Sequence, residues 1–271
     1  MSESPKPNPI TTMRVVYEIP GMESASVTRG IEYRHEGPGP LTLDLYRPAP
    51  SPDGSRPPVV VFITGYPDPG FQSKLGCLQK DMGSYVSWAQ LTASSGVAAV
   101  TYVNRDPGAD ARAVLAYVRD NAASLGVDGD RIGVWSCSGS GPNALSVLMD
   151  ETPRGLRCAV LAWAYTLDEN GFKGVADAAN QWGFVTPTTG KSVDDLPPGL
   201  PLLIVRAGQD ACPQLNETLD RFVVRALARD LSFSVINVAR APHAFDLMQN
   251  DEASRQAVQQ MLAFMQRHLA R

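Results

Sequence analysis

An α/β fold is what the sequence predicts: a mostly parallel sheet of about eight strands with helices on both faces. Three observations carry it. Short runs that are apolar on both faces recur at residues 59–65, 96–103, 131–137, 157–165, 201–208 and 232–239, as expected of strands buried inside a sheet. Segments of helical length and 3.6-residue apolar period lie between most of them. The two kinds alternate from residue 59 nearly to the end, which is the pattern of parallel strands joined by crossover helices.

The elements follow in order. Residues 1–25 read as a mobile tail and lead-in, without the charged-then-apolar pattern of a signal peptide. Residues 26–35 and 41–47 alternate apolar and polar around the turn cluster EGPGP, which predicts an antiparallel hairpin. A Pro-rich linker, 48–58, leads to the strand at 59–65. A helix is expected over 84–95, and a second over 109–125 with Val114, Val118, Ala122 and Leu125 on one face. After the strand at 131–137 comes a helix over 142–149, then the strand at 157–165. Residues 166–200, rich in Gly, Asp, Thr and Pro, break the rhythm and read as a short lid-like insertion, partly helical. The alternation resumes at 201–208, followed by a helix striped with Leu219, Phe222, Val223, Ala226 and Leu227. The strand at 232–239 and a terminal helix over 252–269, with Val258, Met261, Leu262, Met265 and Leu269 inward, complete it. Residues 26–271 thus form one domain.

Composition excludes several classes. The chain of 271 residues is 44% hydrophobic and 19% charged, the balance of a globular protein and not of a disordered one. Its 24 basic and 28 acidic residues give a net charge of −4, so no basic excess exists to bind nucleic acid. The longest apolar runs are about half of the ~20 residues that span a bilayer, so no membrane partner is expected. Four cysteines, Cys77, Cys137, Cys158 and Cys212, show no metal-ligand spacing. They read as free thiols of a cytoplasmic protein. Neither composition nor charge selects an oligomeric state.

In an open parallel sheet the chemistry lies just beyond the carboxyl ends of the strands. The strand ending at Cys137 delivers Ser138 on a turn of small residues, Ser136-Cys137-Ser138-Gly139-Ser140. A serine on a sharp strand-to-helix turn is a nucleophile elbow, here with Ser in place of both glycines of G-x-S-x-G. The same stretch also fits G-x-G-x-x-A from Gly139 to Ala144, a dinucleotide fingerprint with Asp168 as the ribose acid. That motif normally opens the first βα unit, and its acid follows after ~20 residues rather than ~30. Cys137 is the alternative nucleophile, but neighbouring side chains at such a turn diverge.

A serine nucleophile needs a base. Of the three histidines, His35 ends the hairpin and His268 sits on the terminal helix, whereas His243 follows the last strand at the productive edge. Asp210 follows the strand at 201–208 at the same edge and is the candidate to orient the imidazole. Glu217 and Asp220 are reserve acids within a helix. The order Ser138, Asp210, His243 differs from the chymotrypsin and subtilisin orders. The oxyanion would take the Gly139 N–H and a second donor from the loop Thr64-Gly65-Tyr66, where Tyr66 N–H is the candidate because Pro67 has none.

These residues make the chain resemble the α/β-hydrolase superfamily, in its esterase and dienelactone-hydrolase-like group. The resemblance runs from about residue 26 to the end through LTLDLYRP, VVVFITGY, residues 110–141, LLIVRAGQD and PHAFD. It implies an attacking serine at Ser138, its base at His243, the acid at Asp210, and an oxyanion loop at 64–66. Dienelactone hydrolases themselves carry Cys as nucleophile. Two departures from the family pattern stand out: Thr64 replaces a His, and Ser136 and Ser140 replace elbow glycines. The expected activity is a serine esterase, a carboxylic-ester hydrolase working through an acyl-enzyme on small to medium acyl esters without a metal or organic cofactor. Trp163, Tyr165, Trp182 and Phe184 are candidate substrate-binding residues. A non-catalytic ligand-binding protein of the same fold, or a nucleotide-binding oxidoreductase, are the alternatives.

Overall fold

The computed structural model describes residues 9–35, 37–150 and 154–270. Eight strands form one sheet: β1 (Ser26–His35), β2 (Pro40–Arg47), β3 (Val59–Phe62), β4 (Ala98–Tyr102), β5 (Ile132–Ser138), β6 (Leu156–Ala164), β7 (Leu202–Ala207) and β8 (Phe233–Val238). Their order across the sheet is β1-β2-β4-β3-β5-β6-β7-β8. β2 runs antiparallel to both β1 and β4. The remaining neighbours are parallel. The helices are α1 (Pro9–Thr12), α2 (Asp68–Leu75), α3 (Gly83–Ser94), α4 (Pro107–Asp120), α5 (Ala122–Leu125), α6 (Gly141–Leu148), α7 (Gly174–Trp182), α8 (Leu215–Ala228), α9 (Phe245–Met248) and α10 (Glu252–Leu269).

Alternation along β3 shows how the sheet serves two cores. Val59 and Val61 face one side, with Val114 of α4, Leu145 of α6 and Phe222 of α8. Val60 and Phe62 face the other, with Trp88 of α3 and Val258 and Met261 of α10. A strand buried on both faces cannot show a polar alternation, which is why these runs read as continuously apolar.

Three expectations change. The helix expected over 109–125 is two helices, because Asn121 leaves helical geometry at φ −107°, ψ 15° between α4 and α5. Asp106 sets the start of α4 by accepting the Gly108 and Ala109 N–H groups at 3.1 Å. Leu227 is 64% exposed rather than inward. Eight residues after Leu219, it has drifted ~80° around a helix of 3.6 residues per turn. The lead-in is packed where it is described: Val15 and Met22 are buried. The Val15 N–H reaches Ser87 Oγ at 3.0 Å, and the Val16 N–H reaches the Asp246 carbonyl at 2.7 Å. Residues 1–8 of the expected tail lie outside the described residues.

The insertion at 166–200 carries α7 and two single 3₁₀ turns, Glu169–Gly171 and Val193–Asp195. Its side chains fasten it. Asp168 accepts the Val175 and Ala176 N–H groups at 2.8 and 3.0 Å, and Glu169 accepts the Val193 N–H at 2.7 Å. The Val185 N–H then bonds the Gly65 carbonyl at 2.9 Å, which ties the insertion to the loop after β3. Among the described residues no helix is long and apolar enough to cross a membrane.

Candidate active site

The turn from β5 into α6 holds Ser138 at φ 51°, in the left-handed region. A non-glycine residue there is strained, as a nucleophile elbow requires. The room that two glycines would give at 136 and 140 is supplied at 139 and 141. A Cβ on Gly139 would lie 2.5 Å from the Phe184 ring and from Tyr66 Oη. One on Gly141 would lie 2.1 Å from the Tyr165 carbonyl oxygen. Ser136 and Ser140 are buried without disturbing the turn, and the Ser140 N–H closes it on the Cys137 carbonyl at 2.9 Å.

Three strand-end loops bring the predicted residues together. Ser138 Oγ and His243 Nε2 are 3.0 Å apart, and His243 Nδ1 lies 2.7 Å from Asp210 Oδ2. The Asp210 side chain is fully buried, and its other oxygen accepts the Cys212 N–H at 2.8 Å. The loops after β7 and β8 are laced together, with Gly208 N–H on the Val238 carbonyl and Gln209 N–H on the Ala241 carbonyl, at 2.9 and 2.8 Å. That lacing sets Asp210 beside His243. A carboxylate bonded to Nδ1 fixes the tautomer that leaves Nε2 free to accept from Ser138.

The loop after β3, where the second oxyanion donor is expected, is held by residues that the sequence did not point to. Gln79 Nε2 and Asn104 Nδ2 both donate to the Tyr66 carbonyl, at 2.7 and 3.0 Å. Asn104 Nδ2 also donates to Thr64 Oγ1 at 2.9 Å, and Asn143 Nδ2 to the Thr64 carbonyl at 2.7 Å. Thr64 is thus part of a local network. Among the described residues, the Tyr66 and Gly139 amides have no acceptor within the protein. Their loops touch at Gly65, where an added Cβ would sit 2.5 Å from the Gly139 carbonyl oxygen.

The candidate substrate-binding aromatics divide. Phe184 stacks on Tyr165 at 5.3 Å and meets Tyr66 edge-on at 5.8 Å, so these three rings close over Gly139. Trp163 instead lies behind the site, edge-on to His243 at 4.7 Å. Trp182 ends α7 and is 46% exposed. The Tyr66 hydroxyl faces Ser138, and burial pushes its pKa far up, so it stays a phenol. Burial pushes the Cys137 thiol up as well, and Cys137 lines a small cavity beside the elbow, which argues against a nucleophilic role there.

Asp168, the acid that a dinucleotide would need, is engaged at the start of α7, and Phe184 fills the space over Gly139. Among the described residues, Asp210, Cys212 and His243 form the one group of three donors that could hold a metal ion. Two of these are already bonded to each other, and burial pushes the Cys212 thiol up to about 12, away from the thiolate a metal binds.

No protein-family model and no curated protein matches the sequence. Solved structures do. A thermostable esterase from Pseudomonas putida superposes with a TM-score of 0.69 at 18% identity, covering 94% of this chain and 86% of that one. Esterase 2 of the planctomycete Thermogutta terrifontis gives 0.67 at 21% identity, covering 91% and 93%. An ester hydrolase from the metagenome of Lake Arreo gives 0.67 at 19% identity, covering 90% and 83%. At such identities the likeness is one of architecture. The eight-stranded sheet, the elbow after β5 and these superpositions together place the chain in the α/β-hydrolase fold.

Proposed function

We propose that this protein is a serine esterase acting on small to medium acyl esters. The observation that carries the reading is the chain of contacts from Ser138 Oγ through His243 to Asp210, at 3.0 and 2.7 Å, on a strained elbow. Ser138 attacks the ester carbonyl and passes its proton to His243 Nε2. The imidazolium is held against Asp210. The Gly139 and Tyr66 amides receive the oxyanion, and the dipole of α6 adds to them. His243 then gives the proton to the leaving alcohol. Water attacks the acyl-enzyme, giving its proton to His243, and Ser138 recovers that proton as the acid leaves. The apolar rings of Tyr165, Phe184 and Tyr66 favour a short acyl group beside Gly139.

The structural relatives supply the choice of probe. Thermogutta terrifontis esterase 2 has been described phosphorylated by paraoxon and with propionate bound. The test is a fluorophosphonate, with the adduct mapped by mass spectrometry and p-nitrophenyl esters from acetate to octanoate as substrates. Wild type should be labelled at Ser138 and should turn over the shorter esters. Ser138→Ala should lose the label and on the order of 10⁴–10⁶-fold in kcat. Folded wild type that takes no label and hydrolyses no ester would refute the esterase reading.

A further inference from the structure

Beside the elbow, a cavity of ≈ 20 Å³ is lined by Ser84, Trp88, Trp135, Cys137, Trp163 and Asp246, among others. Its polar groups are unusual. Asp246 is fully buried. Its Oδ2 accepts the Trp88 indole N–H at 2.8 Å, while Oδ1 has no partner. The indole N–H groups of Trp163 and Trp135 have none either. Among the described residues no lysine or arginine pairs with Asp246. The Trp163 indole N–H is turned toward the Asp246 carboxylate but falls short of a direct bond. About 10–15 Å³ of such space suffices for one water, and a buried water seeks two to four polar partners. An acceptor and two donors around one cavity meet that need.

Trp163 links this cavity to the triad. Its backbone is held at φ 38°, and its ring meets the His243 imidazole at 4.7 Å and 75°. Asp246 itself follows His243 by three residues, and its charge interacts with that imidazole.

We propose that Asp246 is a positioning residue for His243, holding the Trp163 indole through one buried water and lending a second negative charge to the imidazolium. The inference rests on the serine-esterase reading. When the Ser138 proton moves to His243 Nε2, the new positive charge appears against Asp210 and in the field of a buried carboxylate. Attraction that exists only after proton transfer accelerates the chemical step and leaves ground-state binding unchanged.

The experiment is a double-mutant cycle, Asp246→Asn with Trp163→Phe, read on p-nitrophenyl acetate and on the rate of fluorophosphonate labelling. Asp246→Asn should lower kcat and the labelling rate about 10-fold with KM within twofold. Trp163→Phe, which keeps a ring and deletes the N–H, should lower kcat about threefold. The double variant should match Asp246→Asn alone, because both changes cut one connection. Wild-type kcat in Asp246→Asn, or factors that multiply in the double variant, would overturn the inference. Should Asp246→Asn fail to fold, Trp163→Phe decides alone, and wild-type kcat there would overturn it. A wild-type protein that takes no label would instead remove the esterase reading on which it rests.

Discussion

Asp68 and Asp246 occupy matching places, each in the first turn of a short helix that follows a strand of the sheet, α2 after β3 and α9 after β8. Both are buried, and burial raises the pKa of both. Their partners differ. Asp68 accepts three donors: Gln79 N–H and Nε2 at 3.1 and 3.0 Å, and Asn104 N–H at 2.8 Å. These bonds fix Gln79 and Asn104, which in turn hold the Tyr66 carbonyl. Asp246 has the Trp88 indole and an oxygen without a partner. A carboxylate saturated by amides stiffens a loop. One left short of donors remains responsive to a charge that comes and goes.

The same substitution at both sites should therefore act with opposite sign. Asp68→Asn presents an amide to donors that need an acceptor. Each buried donor left without one costs about 1–3 kcal/mol. A loss of about 2–4 kcal/mol should appear as a melting temperature lower by roughly 5–12 °C. Turnover should fall by on the order of 10²-fold as the oxyanion loop loosens. A melting temperature within 2 °C of wild type would refute the stiffening role.

Asp246→Asn should stabilise. Asp246 is pushed up to about 6 by burial, from an ordinary value of 3.8. Between those two pH values the unfolded chain has shed a proton that the native state keeps, so native stability declines as pH rises through that window. Above pH ~6 the full penalty stands, and at about 1.4 kcal/mol per pH unit it amounts to about 2–3 kcal/mol. Asparagine carries none of it. Denaturant melts at pH 8 should favour Asp246→Asn by about that amount, with the gap closing below pH ~4. A gap that is the same at pH 4 and pH 8 would show that the charge is not its source.

Asp168 gives the scale for an ordinary carboxylate. It is half-buried and accepts two amides at the start of α7. Asp168→Ala should cost about 1 kcal/mol, as capping losses do. Calorimetry giving a loss as large as that of Asp68→Asn would erase the distinction between a cap and a loop organiser.

Much of this was legible in the residues. Strand runs with no polar alternation, such as 59–65, announced a sheet covered on both faces. Ser138, Asp210 and His243 could be found because each follows a strand, and strand ends converge at one edge. Gln79, Asn104 and Asn143 gave no signal, since an amide that holds a loop looks like any surface amide until its partner is known. Asp246 was hidden for a related reason: its donor Trp88 lies 158 residues away in the chain. Trp163 reads as a substrate-side residue because it stands with Tyr165, Trp182 and Phe184 near the insertion, yet its backbone has a positive φ and its ring lies behind the imidazole. A φ value is not written in a tryptophan codon.

Among the described residues, six non-glycine residues hold positive φ, and Ser138, Trp163 and Ala244 among them lie beside His243. A stability-directed redesign that ranks positions by backbone discomfort would visit these three early and relieve them with glycine. Glycine would ease the backbone at Ser138 and Ala244 while dismantling the serine and the turn beside His243, and at Trp163 it would empty a buried ring site whose loss outweighs the strain relieved. Libraries built from this chain should freeze those positions first and look for robustness in the peripheral helices.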